Sequence, residues 1–439
     1  MPDTLRIYLR SLGCAKNLVD SEMMSGLLLA NKFQLIDLPQ EADIIIVNTC
    51  GFIQAAKEEA IDNILELAQY KQSGRCRLLV AVGCMVEKYR QQLMESLPEV
   101  DAFLGTQEYE QIAELIKEKL SLTEKQPALP KDFYLLRSLC TPGYLAYLKI
   151  AEGCNNHCSY CVIPQLRGAY KSRTMEDILK EASILYEQGV KELIVIAQDV
   201  TNYGYDLYQE SRLACLLEQL VEIPFVWIRL LYVYPSSIDE ELLCVMSRHK
   251  NICHYLDIPL QHGDDEILAA MNRRGSSEQI KDKIKLIRSY MPDIALRTTI
   301  MVGFPGEKKR HFANLLRFLQ EIEFDWVGVF KYCREPDTIA ADLPAQVHKD
   351  AKARREEKAM TLLARLTSQR LARHIGQVLQ VLVEKEVAEK PGWYQGRSQY
   401  HAPEVDGLIF FPAHDLQEGE FVQIKITGCD TYDLIGEMI

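Results

Sequence analysis

Three cysteines stand within eight residues of one another in the stretch Glu152-Gly153-Cys154-Asn155-Asn156-His157-Cys158-Ser159-Tyr160-Cys161. An apolar run, Tyr144 to Ile150, leads into this stretch, and a helical pattern begins at Met175 after it. The spacing C-x3-C-x2-C is too tight to staple distant parts of a fold. It suits a loop wrapped around one metal cluster. A 4Fe-4S cube ordinarily takes four protein ligands, so a loop offering three leaves one iron open. The competing readings are a zinc knuckle or three unrelated thiols. Zinc sites usually pair a C-x2–4-C element with an H-x3–5-H element. His157 lies inside the loop, but no second pair follows nearby.

An open iron can chelate the amino and carboxylate groups of S-adenosylmethionine. One electron passed into the sulfonium then breaks a C–S bond and releases a 5′-deoxyadenosyl radical. That chemistry calls for a barrel around the loop, which the rest of the chain can supply. With 439 residues there is room for roughly three domains at about 150 residues each. No run of about 18 uncharged apolar residues is present, so no membrane span is expected. The start, Met1-Pro2-Asp3-Thr4-Leu5-Arg6, lacks a signal-peptide pattern, and a cytoplasmic protein is expected. In that compartment thirteen cysteines are thiols, metal ligands and core residues rather than a disulfide framework. Fifty basic against 62 acidic residues leave a net charge of −12, which argues against broad nucleic-acid binding and suits a basic partner.

Residues 5–120 alternate strand and helix patterns. Leu5 to Leu12, Asp43 to Asn48 and Arg77 to Val82 read as buried parallel strands. Helical patterns cover Val19–Asn31, Gln54–Gln72, Val86–Ser96 and Gln107–Leu120, giving an α/β layer sheet. Each strand is followed at once by a cysteine: Cys14, Cys50 and Cys84. Parallel strands end on one edge of their sheet, where ligands bind. Glycines beside each cysteine permit close backbone approach to a bulky ligand. Three cysteines at equivalent strand ends predict a second cluster site. Against this stands the common burial of cysteine as an ordinary core residue.

Residues 121–142 hold three prolines and few periodic apolar positions, and read as a linker. The strand–helix unit then returns over residues 143–373. Candidate strands are Tyr144–Ile150, Glu192–Gln198, Phe225–Leu231, His254–Ile258, Ala295–Met301 and Trp326–Lys331. Helices fill the gaps, among them Thr174–Gln188, Ser236–Ser247, Ser277–Tyr290 and Glu307–Glu321. Six such units predict a partial (βα)6 barrel with every strand C-terminus on the active face. Polar residues at those ends are candidates to hold cofactor or substrate: Gln198-Asp199, Arg229, Gln261-His262, Arg297 and Gly303-Phe304-Pro305-Gly306-Glu307. Any one of them has an alternative as a strand-end cap or salt-bridge partner. His262 reads more readily as a satisfied structural histidine than as a ligand. Tyr160, beside the last loop cysteine, is placed either against an adenine or in ordinary packing.

Residues 348–373 carry eight Lys/Arg against three Asp/Glu and read as a solvated outer helix, with RNA contact the lesser alternative. Residues 374–439 change to short alternating runs, at Gln377 to Val383, Trp393 to Tyr400, Gly407 to Phe411, Phe421 to Ile426 and Thr431 to Met438. These predict a small antiparallel β-barrel, OB-like in style. With four Lys/Arg against eleven Asp/Glu it holds a net −7 of the chain's −12. An RNA-reading barrel is normally basic. This one suits a cationic partner.

Together these features resemble the methylthiotransferases of the radical S-adenosylmethionine superfamily, along nearly the whole chain. The resemblance implies an N-terminal auxiliary-cluster domain (1–122), a linker (123–142), a radical barrel (143–373) and a C-terminal TRAM domain (374–439). It implies two 4Fe-4S clusters, an auxiliary one on Cys14, Cys50 and Cys84 and the radical one on Cys154, Cys158 and Cys161. S-adenosylmethionine would serve as radical source and methyl donor, with Tyr160, Gln198, Arg229, Arg297 and Gly303 as candidate cofactor contacts and no classical acid or base. Ser11-Leu12-Gly13-Cys14-Ala15-Lys16-Asn17-Leu18-Val19-Asp20-Ser21-Glu22 and Asn48-Thr49-Cys50-Gly51-Phe52-Ile53 are similar to the protein-modifying branch. The tRNA-modifying branch typically carries Gln-Met-Asn after the first cysteine and an Ile-Arg pair after the second. The implied reaction places a methylthio group on the β-carbon of a specific aspartate of ribosomal protein S-12, a basic substrate, met free or in the small ribosomal subunit. A reductive electron donor is implied as well, and no membrane. The alternatives are the same chemistry on a modified adenosine of tRNA, disfavoured by the acidic last domain, and a non-enzymatic metal-binding module. The chain departs from the family pattern at Lys308, where threonine is usual, and at Cys333, where serine is usual.

Overall fold

The computed structural model describes residues 4–122 and 133–439. Half of the expected linker 123–142, residues 123–132, therefore lies outside the described residues; the rest forms a short turn at Phe133–Leu136 and leads to Pro142. The chain separates into two compact units that do not follow chain order. One holds residues up to Thr141 with Tyr147–Asn155 and Cys161–Ile184, and the other holds Pro142–Ala146, Asn156–Tyr160 and Leu185–Ile439.

The first unit is built on a five-stranded sheet of β1 (Arg6–Ser11), β2 (Gln34–Leu35), β3 (Ile44–Thr49), β4 (Leu78–Gly83) and β5 (Ala102–Leu104), in the order β2-β1-β3-β4-β5. The pairings are parallel. Strand periodicity splits the apolar residues between two cores. Ile44, Ile46, Leu78, Val80 and Val82 pack on one face with Met24, Leu28 and Ile112. Ile45, Val47, Leu79 and Ala81 pack on the other with Ala60, Ile64 and Leu93. Two strands go beyond the three read in the sequence: β2, of two residues, and β5, of three, are too short to show a period. Helices run over Ala15–Ala30, Gln54–Ala68, Cys84–Ser96 and Ile112–Lys119. The same unit takes in the small ribbon of β7 (Ala151–Glu152) and β8 (Lys171–Ser172).

The second unit is built on a parallel sheet in the order β13-β12-β11-β10-β9-β6, with β6 (Leu145–Lys149) entering through Leu145 and Ala146. Its other strands are β9 (Glu192–Ile196), β10 (Trp227–Leu230), β11 (Ile252–Asp257), β12 (Ala295–Val302) and β13 (Trp326–Lys331). Strands in chain order with helices between them are the expected partial barrel. The basic segment forms the helix Lys349–Leu371, which buries Ala359, Leu363, Leu366 and Leu371.

A closed barrel follows, β14 (Val378–Glu386), β15 (Trp393–Arg397), β16 (Ile409–Pro412), β17 (Phe421–Cys429) and β18 (Leu434–Met438), in the order β14-β15-β16-β18-β17. Its pairings are antiparallel except β16 with β18, which run parallel. Among the described residues, no helix is long and apolar enough to cross a membrane.

Candidate functional site

The three strand-end cysteines lie on neighbouring strands of the first unit. Ser11 pairs with Asn48, Asn48 with Val82 and Thr49 with Gly83, so β1, β3 and β4 end level with one another. Cys14 precedes the helix Ala15–Ala30, Cys50 follows β3, and Cys84 opens the helix Cys84–Ser96. Glycine is needed here for space. A Cβ on Gly13 (φ +91°) would sit 2.8 Å from the Cys50 Cβ, and one on Gly83 (φ +99°) would sit 2.2 Å from Asn48 Oδ1. Asn17 ties the loops together: its Nδ2 donates to Leu12 O and to Thr49 O, both at 3.0 Å. Asn48 Nδ2 donates back to Asn17 O at 2.8 Å, and Thr49 Oγ1 donates to Val82 O at 2.6 Å.

Cys14 is exposed, while Cys50 and Cys84 are buried. Burial pushes the Cys84 thiol up to about 12 and raises Cys50 as well. Such thiols are poor thiolates alone and become good ligands when a metal replaces the proton. Among the described residues, no three His, Cys, Asp or Glu groups converge on a point that would hold a single ion. A four-iron cube makes a different demand, because each thiolate bonds its own iron. Three soft donors on one sheet edge, two of them in dry surroundings, fit such a cluster.

Beside them lies a buried polar cluster that sequence reasoning missed. Arg167 Nε donates to Cys84 Sγ at 3.2 Å, its Nη1 to Asp20 Oδ2 at 2.6 Å and its Nη2 to Asn17 Oδ1. Lys149 Nζ donates to Asp20 Oδ1 at 2.5 Å and to Glu152 Oε2 at 2.8 Å. Arg167 closes the short helix Ile163–Arg167, six residues after Cys161. Nothing in a lone arginine there signals that it reaches a cysteine 83 residues away.

The cysteine loop carries its own constraints. In the first unit, Cys154 N donates to Gly168 O at 3.2 Å, and a Cβ on Gly153 (φ +76°) would meet Ala169 O at 2.2 Å. Cys161 Sγ accepts from Ile163 N at 3.5 Å. In the second unit, His157 adopts a left-handed φ of 50°, uncommon outside glycine. Its carbonyl accepts from Asn272 Nδ2 at 2.8 Å, and Ser159 N donates to Met271 O at 3.0 Å. Arg273 Nη1 lies 3.7 Å from Cys158 Sγ.

The expected cofactor residues, all in the second unit, divide into two groups. Tyr160 packs against the buried cluster that includes Phe304 and Tyr332, and Phe304 follows Gly303 in the chain. Gly303 (φ +76°) has no room for a Cβ, which would meet Lys352 Cγ at 2.3 Å. The Glu307 carboxylate accepts from the Gly303 and Phe304 amides, so it shapes the Gly-Phe-Pro-Gly turn. Gln198 follows β9 beside Asp199, whose Oδ2 accepts from Asn156 Nδ2 of the cysteine loop at 2.8 Å. Arg229 and Arg297 are occupied elsewhere. Arg229, wholly buried, donates to Glu192 Oε1 and to Gln399 O, each at 2.8 Å. Arg297 Nη1 donates to Asp257 Oδ1 at 2.9 Å, and its Nε lies 3.4 Å from Asp406 Oδ1. Both arginines join the parallel sheet to the C-terminal barrel, where sequence reasoning placed cofactor contacts. His262 is fully buried; its Nδ1 accepts from Asp264 N at 3.0 Å, while its Nε2 has no hydrogen-bond partner among the described residues. Cys333 Sγ donates to Glu335 Oε1 at 3.2 Å. At Lys308 the backbone N–H is capped by His311 Nδ1 at 3.0 Å.

Three family models match in succession: Uncharacterized protein family UPF0004 over residues 6–105, Radical SAM superfamily over 148–319 and TRAM domain over 375–439. Solved structures with a similar fold include the radical S-adenosylmethionine methyltransferase TsrM from Kitasatospora setae, at 15% identity and TM-score 0.57, covering 77% of this chain and 74% of that one. The cobalamin-dependent S-adenosylmethionine radical enzyme OxsB is similar at 14% identity and TM-score 0.52, covering 84% and 56%. The fold and the cysteine motif define a radical S-adenosylmethionine enzyme, which works with S-adenosylmethionine and iron–sulfur clusters. Proteins named "Ribosomal protein uS12 methylthiotransferase RimO" are similar along their whole length. The one from Clostridioides difficile is 46% identical over 443 residues, covering 99% of both chains. Those from Pelotomaculum thermopropionicum (47%, 99% of both) and Geobacter sulfurreducens (46%, 99% and 98%) are comparable. The chain belongs to the RimO family of ribosomal protein uS12 methylthiotransferases.

Proposed function

We propose that this protein places a methylthio group on the β-carbon of an aspartate of ribosomal protein uS12, in the cytoplasm. The observation that carries the reading is the match to RimO proteins over 99% of both chains at 46–47% identity. The acidic C-terminal barrel supports a basic protein substrate over tRNA. The electron donor would be a reductant delivering single electrons, and the substrate would be met free or within the small subunit.

In this reading Cys154, Cys158 and Cys161 hold the radical cluster, and Cys14, Cys50 and Cys84 hold the auxiliary one. When bound, S-adenosylmethionine and the clusters supply a carbon radical able to take a hydrogen from an unactivated Cβ, the sulfur, and the methyl group. The chain's own residues hold and shape. Eight residues of one loop present three thiols, and Asn156 anchors that loop to Asp199. Tyr160 and the turn at Gly303 are the cofactor contacts that the packing supports, and Gln198 follows β9 next to Asp199. The glycine-flanked ends of β1, β3 and β4 present the other three thiols. The test is Cys50→Ala, assayed anaerobically with a reductant and a uS12 peptide. Retained 5′-deoxyadenosine formation with loss of methylthiolated product is expected. A product yield equal to the parent's would overturn the role given to Cys50.

A further inference from the structure

In the first unit, the guanidinium of Arg167 points at a candidate cluster thiol. Arg167 is 2% exposed, and its orientation is fixed by Asp20, Glu152 and Asn17. That leaves Nε–H directed at Cys84 Sγ, at 3.2 Å. The thiol also donates, through its own hydrogen, to Asn17 Oδ1 at 3.3 Å. On metal binding that hydrogen leaves, whereas the Arg167 donor remains. The surrounding charges balance, Arg167 and Lys149 against Asp20 and Glu152, so the group is stable in a dry site with its N–H···S contact intact. Val162 and Leu166, from the same short segment, pack on Cys84 and keep water from the contact.

We propose that Arg167 is a positioning residue that sets the reduction potential of the auxiliary cluster through its hydrogen bond to Cys84. Hydrogen bonds to cluster sulfurs are among the protein's means of tuning potential. Reduction adds negative charge to the cluster, and a cationic donor stabilises the more negative state, so Arg167 raises the potential. The donor sits on the segment that follows Cys161 directly.

The inference rests on the assignment of Cys14, Cys50 and Cys84 as cluster ligands, and the experiment separates the two. The full chain carrying Cys154→Ala, Cys158→Ala and Cys161→Ala is reconstituted anaerobically, leaving the auxiliary site alone. Its iron content is measured, and its midpoint potential is read by electron paramagnetic resonance during a redox titration. No iron on this protein would overturn the cluster assignment and the inference with it. With iron bound, Arg167→Gln is expected to shift the midpoint to more negative potential at unchanged iron content; an unchanged midpoint overturns the inference. Should Arg167→Gln lose iron, Arg167→Lys decides. It keeps the charge against Asp20 but removes the N–H aimed at Cys84, so a negative shift supports the proposal and an unchanged potential refutes it.

Discussion

Arg397 and Glu192 stand 205 residues apart in the chain, yet Arg397 Nη2 donates to Glu192 Oε2 at 2.8 Å with both side chains wholly buried. Glu192 opens β9 and Arg397 ends β15, so this pair fastens the closed barrel to the parallel sheet. Arg229 shares the carboxylate through its Nε at 2.8 Å, and Arg397 also reaches Glu384 at 2.5 Å. Breaking a buried pair by removing one partner leaves an uncompensated charge. Arg397→Met is expected to cost about 3 kcal/mol, the low end of the usual range because Arg229 still faces Glu192. Urea unfolding of the parent and the variant measures it, and a change within about 0.5 kcal/mol would refute the role of the pair.

The same junction carries a pH signature. Asp293 Oδ1 lies 2.8 Å from His254 Nδ1, and Asp293 Oδ2 accepts from Tyr400 OH at 2.9 Å. The hydrogen bond from His254 is the larger cause that holds the Asp293 carboxyl down at about 2, against an ordinary 3.8. A folded-state value below the unfolded one adds stability that is present above 3.8 and lost as pH falls toward about 2. Asp293→Asn is therefore expected to flatten the loss of stability on acidification. Urea midpoints of both proteins at about pH 6 and about pH 3 give the comparison. Equal pH slopes would contradict the assignment.

Gly83 tests the auxiliary site through backbone space. At φ +99°, with Asn48 Oδ1 2.2 Å and Thr49 O 2.8 Å from a built Cβ, alanine cannot fit without moving the start of the Cys84 helix. Strain of this kind costs roughly 1–3 kcal/mol and displaces the thiol that follows. Gly83→Ala is expected to lose the iron of the auxiliary site and keep that of the cysteine loop. Iron analysis against the parent checks it, and full iron content would contradict it.

What was legible in the sequence follows from period and position. The runs ending at Cys14, Cys50 and Cys84 are apolar and evenly built, so the strands and the sheet edge they share could be read together. The last domain's alternation announced its barrel, although β17 runs on to Cys429 beyond the expected Ile426, because Lys425 and Thr427 keep the alternation while Gly428 masks it. The parallel pairing of β16 with β18 had no local signature. Arg229 and Arg297 looked like cofactor ligands because they are polar residues on barrel strands. Their partners, Glu192, Gln399 and Asp406, lie up to 170 residues away, and only tertiary structure selects them. Arg167 was invisible for the same reason. Its chemistry depends on a contact with Cys84 that no spacing encodes.

The most direct test of the central claim is an anaerobic assay of the reconstituted protein with S-adenosylmethionine and dithionite. Parallel reactions receive a peptide from the uS12 loop or unmodified tRNA, and mass spectrometry reads the products. The expected result is a mass gain equal to a methylthio group on a peptide aspartate, with tRNA unchanged. A gain on a tRNA adenosine and none on the peptide would contradict the account.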